Sequence, residues 1–159
     1  MFARIVWLMA LGIVIADQVT KWLAVQHLEN QDPISVIGNF LQLSFTRNPG
    51  AAFSVGTNAT VLFSVLAVIA SVVIIRLTPR LAHRGWAFVF GAILGGALGN
   101  LVDRLFRWPG LFRGHVVDFI ALPNYPMFNI ADSAISCAAI GGIILTIRGI
   151  TPLKSKVSS

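Results

Sequence analysis

Two aspartates in apolar surroundings, Asp118 and Asp132, are the residues best suited to catalysis in this sequence. Pro123 and Pro126 between them favour a return turn over one continuous helix, so the two carboxyl groups can lie close together. Two such groups share a proton in an apolar setting, because they cannot both ionise cheaply. One can then act as base and the other as acid when water attacks a peptide carbonyl. The sequence therefore predicts a hydrolytic di-aspartate site.

Asp132 also has a purely structural explanation. Asn129 is a suitable N-cap for the helix that follows, and Asp132 then stands at the third helical position, as in a capping box. The positive end of the helix dipole favours the ionised form of a carboxyl group at that position. Asp118 lies in an apolar segment without an adjacent cation and has no comparable structural explanation.

A second group of polar residues ends the predicted third helix. Small residues precede it at four-residue spacing, a pattern that lets helices pack closely in lipid. The two rows are Gly91, Gly95 and Gly99, and Ala92 and Gly96. They continue into Asn100, Asp103 and Arg104, so these three side chains are expected to face protein rather than lipid. They form either an ion-pair network that fastens the helix ends or part of a functional site.

The first helix carries a possible ion pair, Asp17 and Lys21, at i,i+4 spacing. On an exposed helix surface such a pair stabilises by roughly a few tenths of a kcal/mol.

Metal and cofactor chemistry find little support. The three histidines, His27, His83 and His115, lack metal-ligand spacing, and the single cysteine, Cys137, is interpreted as a packing residue. The glycines lie within an apolar helix rather than in a phosphate-binding loop. We expect no metal and no cofactor.

Composition indicates an integral membrane protein. Of 159 residues, 56% are apolar and 11% are charged, with a mean hydropathy of +0.80. This excludes a soluble enzyme, a disordered tail and a disulfide scaffold. The net charge of +6 fits basic residues that flank membrane spans, and we expect no nucleic-acid binding. Only six acidic residues occur, and Glu29 and Asp32 are interpreted as ordinary loop residues.

Four apolar stretches are long enough to cross a bilayer as helices. They cover about 5–25, 59–77, 85–105 and 130–149. The first resembles a signal peptide in length but lacks a clear cleavage site and resumes past Asp17, which favours a retained helix. We expect one membrane-embedded domain over 1–159.

A strand region is predicted over about 34–56, between helices 1 and 2. Residues 41–46 alternate apolar and polar side chains, and the turn signal at 48–50 follows. The predicted fold class is thus an all-α membrane protein with four spans and a small extracytoplasmic sheet or hairpin between helices 1 and 2.

The distribution of basic residues gives the orientation. Seven lie on the side of the two termini: Arg4, Arg76, Arg80, Arg84, Arg148, Lys154 and Lys156. Five lie on the other side: Lys21, Arg47, Arg104, Arg107 and Arg113. The excess weakly favours a cytoplasmic N-terminus and a cytoplasmic C-terminus.

Five segments together resemble the prokaryotic lipoprotein signal peptidases, signal peptidase II. In the family's order they are 17–21 (DQVTK), 47–54 (RNPGAAFS), 95–104 (GGALGNLVDR), 114–119 (GHVVDF) and 128–133 (FNIADS). One segment alone is not specific, but five in order from helix 1 to helix 4 are.

The resemblance implies a four-helix aspartyl endopeptidase of the bacterial inner membrane, with both termini cytoplasmic and the active site at the outer interface. Its substrate would be a diacylglyceryl-modified prolipoprotein, cut on the N-terminal side of the lipidated Cys to remove the signal peptide. By the family pattern, Asp118 and Asp132 are the catalytic pair, while Asp17 and Lys21 support the site. Five residues match the polar lining of the pocket: Asn48, Asn100, Asp103, Arg104 and Asn129. Expected partners are this substrate and membrane lipids, and we expect a monomer.

Two other functions remain open on the residues alone. A small proton or ion transporter could use Asp17, Asp103 and Asp132 as a relay through the membrane. A structural subunit could use its polar residues only to bind neighbouring helices.

Overall fold

The computed structural model describes residues 2–50 and 57–154. Four long helices make up most of it: α1 (Phe2–His27), α2 (Thr57–Leu77), α3 (Arg84–Phe106) and α4 (Ile130–Ile147). A short 3₁₀ turn, Thr78–Arg80, follows α2. All four helices are long and apolar enough to cross a membrane, as the sequence predicts. The last one ends at Ile147 rather than at 149, because Arg148 caps it and Gly149 adopts a positive φ of 68°.

Four antiparallel strands form one sheet in the order β1 (Ile34–Ile37), β2 (Leu41–Asn48), β3 (Val116–Leu122) and β4 (Tyr125–Phe128). The predicted sheet is confirmed. Only β1 and β2 lie between helices 1 and 2, as predicted, and β3 and β4 come from the segment between α3 and α4. A two-stranded hairpin is marginal alone, and pairing with β3 completes it. Residues 51–56, the end of the predicted strand region, lie outside the described residues.

Strand β3 presents different side chains to its two faces. Val117 and Phe119 are buried in a cluster with Ala24 of α1 and with Leu28, which directly follows α1. Because side chains alternate along a strand, Asp118 points to the opposite face. The apolar packing of β3 on α1 therefore fixes the direction in which the carboxyl group of Asp118 points.

Helix α3 is the centre of the bundle. In the most apolar 18-residue stretch of α3, 56% of residues are buried, against 11–22% in the corresponding stretches of the other three helices. A Cβ atom on Gly95 would lie 2.9 Å from the carbonyl oxygen of Ala10 in α1, and one on Gly96 would lie 2.6 Å from that of Ala131 in α4. The two small-residue rows therefore pack against α1 and α4, as predicted from their spacing.

The sheet lies at one end of the bundle, hereafter the sheet end. This end holds the C-termini of α1 and α3 and the N-termini of α2 and α4, because the strands connect these termini. At the opposite end, the indole Nε1 of Trp86 donates to the carbonyl of Ile150 at 2.8 Å, and Leu81 pairs with Leu153. Phe2 and Lys154, the first and last described residues, thus lie away from the sheet.

Candidate active site

Asp118 is buried in the middle of β3, with an exposed fraction of 1%. Its Oδ1 accepts a hydrogen bond from Nδ2 of Asn129 at 2.6 Å, and its Oδ2 accepts one from Nδ2 of Asn48 at 2.9 Å. Antiparallel pairing of β2 with β3 sets Asn48 opposite Val116, two residues before Asp118, so the sheet register places this donor. Both oxygens of Asp118 are therefore held in fixed positions.

The pKa of Asp118 is raised from 3.8 to about 6, with burial as the largest cause. The negative charge of Asp132 also raises it, while the hydrogen bonds from Asn48 and Asn129 and the positive charge of Lys21 partly offset the rise. Asp118 therefore keeps a proton over a pH range in which an ordinary aspartate is ionised.

Asp132 stands in the first turn of α4 and forms the predicted capping box with Asn129. The Asp132 backbone N–H donates to Oδ1 of Asn129 at 3.0 Å, and the Asn129 backbone N–H donates to Oδ2 of Asp132 at 3.3 Å. Nδ2 of Asn100 donates to Oδ1 of Asp132 at 2.8 Å. Asp132 therefore takes part in the cap of α4 and also lies close to Asp118. The side chain of Asn129 links the two, because it bonds both to Asp118 and to the backbone N–H of Asp132.

Lys21 lies at the centre of a buried ion cluster. Its Nζ is 2.8 Å from Oδ2 of Asp17 and 3.0 Å from Oδ2 of Asp103, and it donates to Oδ1 of Asn100 at 2.9 Å. Lys21, Asp17 and Asp103 all have exposed fractions of 0%. The few tenths of a kcal/mol that such a pair contributes on an exposed helix do not apply to this buried one. Removing one partner of a buried pair costs about 3–5 kcal/mol, because the other charge is left buried and uncompensated.

The two carboxylates of this cluster also bind the backbone of neighbouring elements. Oδ1 of Asp17 accepts from the N–H of Ala131 in α4 at 3.0 Å, and Oδ2 of Asp103 accepts from the N–H of Val117 in β3 at 3.1 Å. Arg107 binds the other oxygen of Asp103 at 2.7 Å. The cluster therefore joins α1, α3, α4 and β3 directly beneath the aspartate pair.

Arg104 is 9% exposed, and its guanidinium group lies 5.6 Å from the centre of the Phe63 ring. Its Nη1 is buried and has no hydrogen-bond partner within the described part of the chain. Asp118, Asp132 and Asp103 all interact with its charge. Arg104 is thus a cation beside the aspartate pair with a donor to offer.

All nine residues selected from the sequence are brought together at the sheet end. They are Asp118, Asp132, Asn48, Asn100, Asn129, Asp103, Arg104, Asp17 and Lys21. No group of three or more His, Cys, Asp or Glu residues within 2–50 and 57–154 is arranged to hold a metal ion.

Three contributions were missed by sequence reasoning. Gln18 donates to Asp103 at 3.2 Å and to the carbonyl of Gly99 at 3.0 Å, and its place next to Asp17 was the available signal. Gly114 allows β3 to start against the end of α3, since a Cβ there would lie 2.9 Å from the carbonyl oxygen of Arg104. Glu29 lies in the loop after α1, as expected, and forms a partly exposed ion pair with Arg47 at 2.9 Å that the sequence did not predict.

A groove opens beside Asp132, with a volume of about 280 Å³. Its lining is largely apolar, with hydroxyl groups from α4: Leu122, Tyr125, Phe128, Asp132, Ser133, Ser136 and Cys137. The lining therefore suits an apolar chain next to Asp132.

Fold and site together define a multi-pass membrane protein with a pair of aspartates at one end of its helices. The family model described as "Signal peptidase (SPase) II" matches residues 9–148, and the chain belongs to this family. It is therefore an aspartic-type peptidase, a hydrolase, and a multi-pass protein of the inner membrane.

Relatives and solved structures agree with this assignment. The chain is 48% identical over 151 residues to the lipoprotein signal peptidase of Streptomyces griseus, covering 94% of this chain and 77% of that protein. It is 44% identical over 146 residues to the lipoprotein signal peptidase of Mycobacterium tuberculosis, covering 92% and 72%. A bacterial membrane enzyme solved by the in meso method at 2.3 Å matches with a TM-score of 0.77 at 30% identity, covering 96% of this chain and 93% of that one.

Proposed function

We propose that this enzyme removes the signal peptide from diacylglyceryl-modified prolipoproteins and cuts on the N-terminal side of the lipidated Cys. Membership of the signal peptidase II family supports the substrate class. The observation that carries the mechanism is the side chain of Asn129, which donates to the carboxyl group of Asp118 and accepts from the backbone N–H of Asp132. It supports a catalytic pair made of these two residues.

Asp118 acts as the acid in this proposal and Asp132 as the base. Asp132 takes a proton from water as the water oxygen bonds to the scissile carbonyl carbon, and Asp118 gives its proton to the carbonyl oxygen. The tetrahedral intermediate collapses when Asp132 returns a proton to the leaving nitrogen and Asp118 recovers one from a hydroxyl group. The raised pKa of Asp118 supports this division of roles.

The surrounding polar residues hold the pair and bind substrate. Asn48, Asn100 and Asn129 donate to the two carboxyl groups. The unsatisfied donor of Arg104 is available to a substrate carbonyl. Asp17, Lys21 and Asp103 support the site from below through their ion cluster.

The active site lies at the outer membrane interface in this proposal, with both termini in the cytoplasm. The seven basic residues on the side of the termini, against five on the other, support that orientation. The protein acts as a monomer of one membrane-embedded domain, without cofactor or nucleic acid. The groove beside Asp132 admits the lipidated substrate from the bilayer.

A proton or ion transporter is not favoured by any observation. Asp17 binds the first turn of α4, where Asp132 also lies, and Asp103 is bound to the same lysine as Asp17. These acids are gathered at the sheet end, so they do not form a relay through the depth of the membrane.

Substitution of each aspartate tests the proposed pair. Asp118→Asn and Asp132→Asn should each reduce cleavage of a diacylglyceryl-modified prolipoprotein by about 10³-fold or more, because acid or base catalysis is lost. Cleavage is measured by gel shift, and the thermal unfolding of each purified variant shows that it has folded.

Asp32→Asn is the matched control, since the same substitution in an exposed loop acid leaves the pair intact. Cleavage at the wild-type rate by either Asp118→Asn or Asp132→Asn would refute the proposed mechanism.

A further inference from the structure

We propose that Lys21 is a positioning residue for Asp132 and acts through the side-chain amide of Asn100. Lys21 keeps the NH2 group of this amide turned toward Asp132. The carboxylate of Asp132 is thereby held ready as the base. The inference rests on the proposed function. It assigns Lys21 a part in the reaction although Lys21, within the described residues, forms no hydrogen bond or ion pair with either aspartate of the pair.

The orientation of the Asn100 amide follows from the donors around it. Nζ of Lys21 donates to Oδ1 of Asn100 at 2.9 Å. An ammonium group has only donors, so only the oxygen end of the amide can face it. The other end, Nδ2, then faces Asp132 and donates to its Oδ1 at 2.8 Å. A fixed cation on α1 thus determines which end of an α3 amide meets a carboxylate on α4.

Lys21 itself has no freedom to turn away. Its ammonium group has three hydrogens, and three acceptors surround it: Asp17 at 2.8 Å, Asp103 at 3.0 Å and Asn100 at 2.9 Å. The side chain is fully buried, so water does not compete for these hydrogens. The orientation is therefore built into the folded protein before substrate arrives.

Loss of the cation would make the reverse orientation of Asn100 accessible. The amide oxygen would then face Asp132, and an oxygen can bond only to the protonated carboxyl group, which is not a base. Nδ2 of Asn129 also donates to Oδ1 of Asn100, at 3.2 Å, and still favours the original orientation. The expected effect is therefore partial: the acid limb of kcat/KM moves to higher pH, and the maximal rate falls without being abolished.

Several other titratable or charged groups lie near Asp132 or in the ion cluster of Lys21 and must be held constant in a test. They are Asp17 of α1, Asp103, Arg104 and Arg107 of α3, Asp118 of β3, Tyr125 of β4 and Cys137 of α4. Arg107 offers a matched control, because it binds Asp103 as Lys21 does but forms no hydrogen bond with Asn100 in the described part of the chain.

The test is the pH profile of kcat/KM for the full chain in detergent, with a diacylglyceryl-modified prolipoprotein as substrate. The variant is the double substitution Lys21→Gln with Asp17→Asn, which removes one charge of each sign and leaves the net charge of the cluster unchanged. We expect the midpoint of the acid limb to move up by about one pH unit. Arg107→Gln should leave this midpoint in place.

An unmoved acid limb in the double variant, or an equal shift in Arg107→Gln, overturns the inference. If the double variant does not fold, Asn100→Leu decides, because it keeps Lys21 paired with both aspartates and removes only the amide. Its acid limb must move in the same direction, and an unmoved limb again overturns the inference. Failure of the proposed function is recognised separately, as wild-type cleavage by Asp132→Asn.

Discussion

Asn129 connects helix formation to the geometry of the aspartate pair. Its backbone and side chain form the capping box that begins α4, and Nδ2 of the same side chain donates to Asp118 at 2.6 Å. Capping alone would explain Asp132, as the sequence suggests, but the same hydrogen bonds fix Asp132 relative to Asp118. Structural and catalytic explanations of this residue are therefore complementary.

The pH dependence of cleavage follows from the raised pKa of Asp118. A general acid must be protonated, so kcat/KM should fall as the pH rises through the pKa of about 6 in the free enzyme. Substrate that covers the site removes water and raises this pKa further, so the alkaline limb of kcat should lie at higher pH than that of kcat/KM. Steady-state kinetics between about pH 4 and pH 9 measure both limbs.

The substitution Asn48→Ala tests whether Asp118 controls this alkaline limb. The hydrogen bond from Asn48 lowers the pKa of Asp118, so its removal should move the alkaline limb to higher pH. Asp32→Asn, in an exposed loop, should not move it. A limb that stays in place in Asn48→Ala would show that another group controls it.

At the scale of elements, the small residues of α3 set the distance to its neighbours. A Cβ on Gly95 would lie 2.8 Å from Cβ of Ile13 and 2.9 Å from the carbonyl of Ala10. Because Lys21 lies on the same α1 as these contacts, a shift of α1 also disturbs the ion cluster beneath the site. Close packing in the membrane and geometry at the site are thus coupled through one helix.

Gly95→Val should destabilise the protein by about 1–3 kcal/mol through overpacking, and cleavage should fall with it. Gly12→Ala on α1 is the control, because nothing lies within 4 Å of its added Cβ. It should be neutral or stabilise by up to about 1 kcal/mol. Thermal unfolding in detergent compares the two, and equal transition temperatures would contradict the packing role of Gly95.

The helices were easier to predict than the sheet for a physical reason. A membrane span is a local property of about 20 consecutive apolar residues, so composition is enough to find it. Strand β3 depends on a partner some 70 residues earlier in the chain, since Asp118 lies opposite Thr46 in the register. Its apolar run at 116–122 is followed by prolines that favour a turn, and so the sequence indicated only a loop at the interface.

The residues gathered at the sheet end were easier to select from the sequence than the sheet that holds them. Asp118 and Asp132 could be selected because an acidic side chain in an apolar segment needs an explanation. Their hydrogen-bond partners depend on which helix faces meet, so the link from Lys21 through Asn100 to Asp132 could not be derived from spacing. The five matching segments named these residues without showing how they connect.

For the whole molecule, the proposed orientation places the two ends of the bundle on opposite sides of the membrane. Gln31 is exposed at the sheet end and Ala82 is exposed at the other. In a Cys137→Ser background, Gln31→Cys should react with a membrane-impermeant maleimide in intact cells, and Ala82→Cys only after permeabilisation. The reverse pattern would mean that the active site faces the cytoplasm. Retained cleavage activity shows that each variant is folded.

The pairing of β2 with β3 has a consequence for the synthesis of the enzyme. Asn48 leaves the ribosome before α2, whereas Asp118 follows α3 and Asp132 begins α4. The carboxyl pair therefore meets Asn48 only after α3 and the start of α4 have been synthesised. In the proposed mechanism, a nascent chain that ends before α4 lacks Asp132, so it cannot cleave substrate.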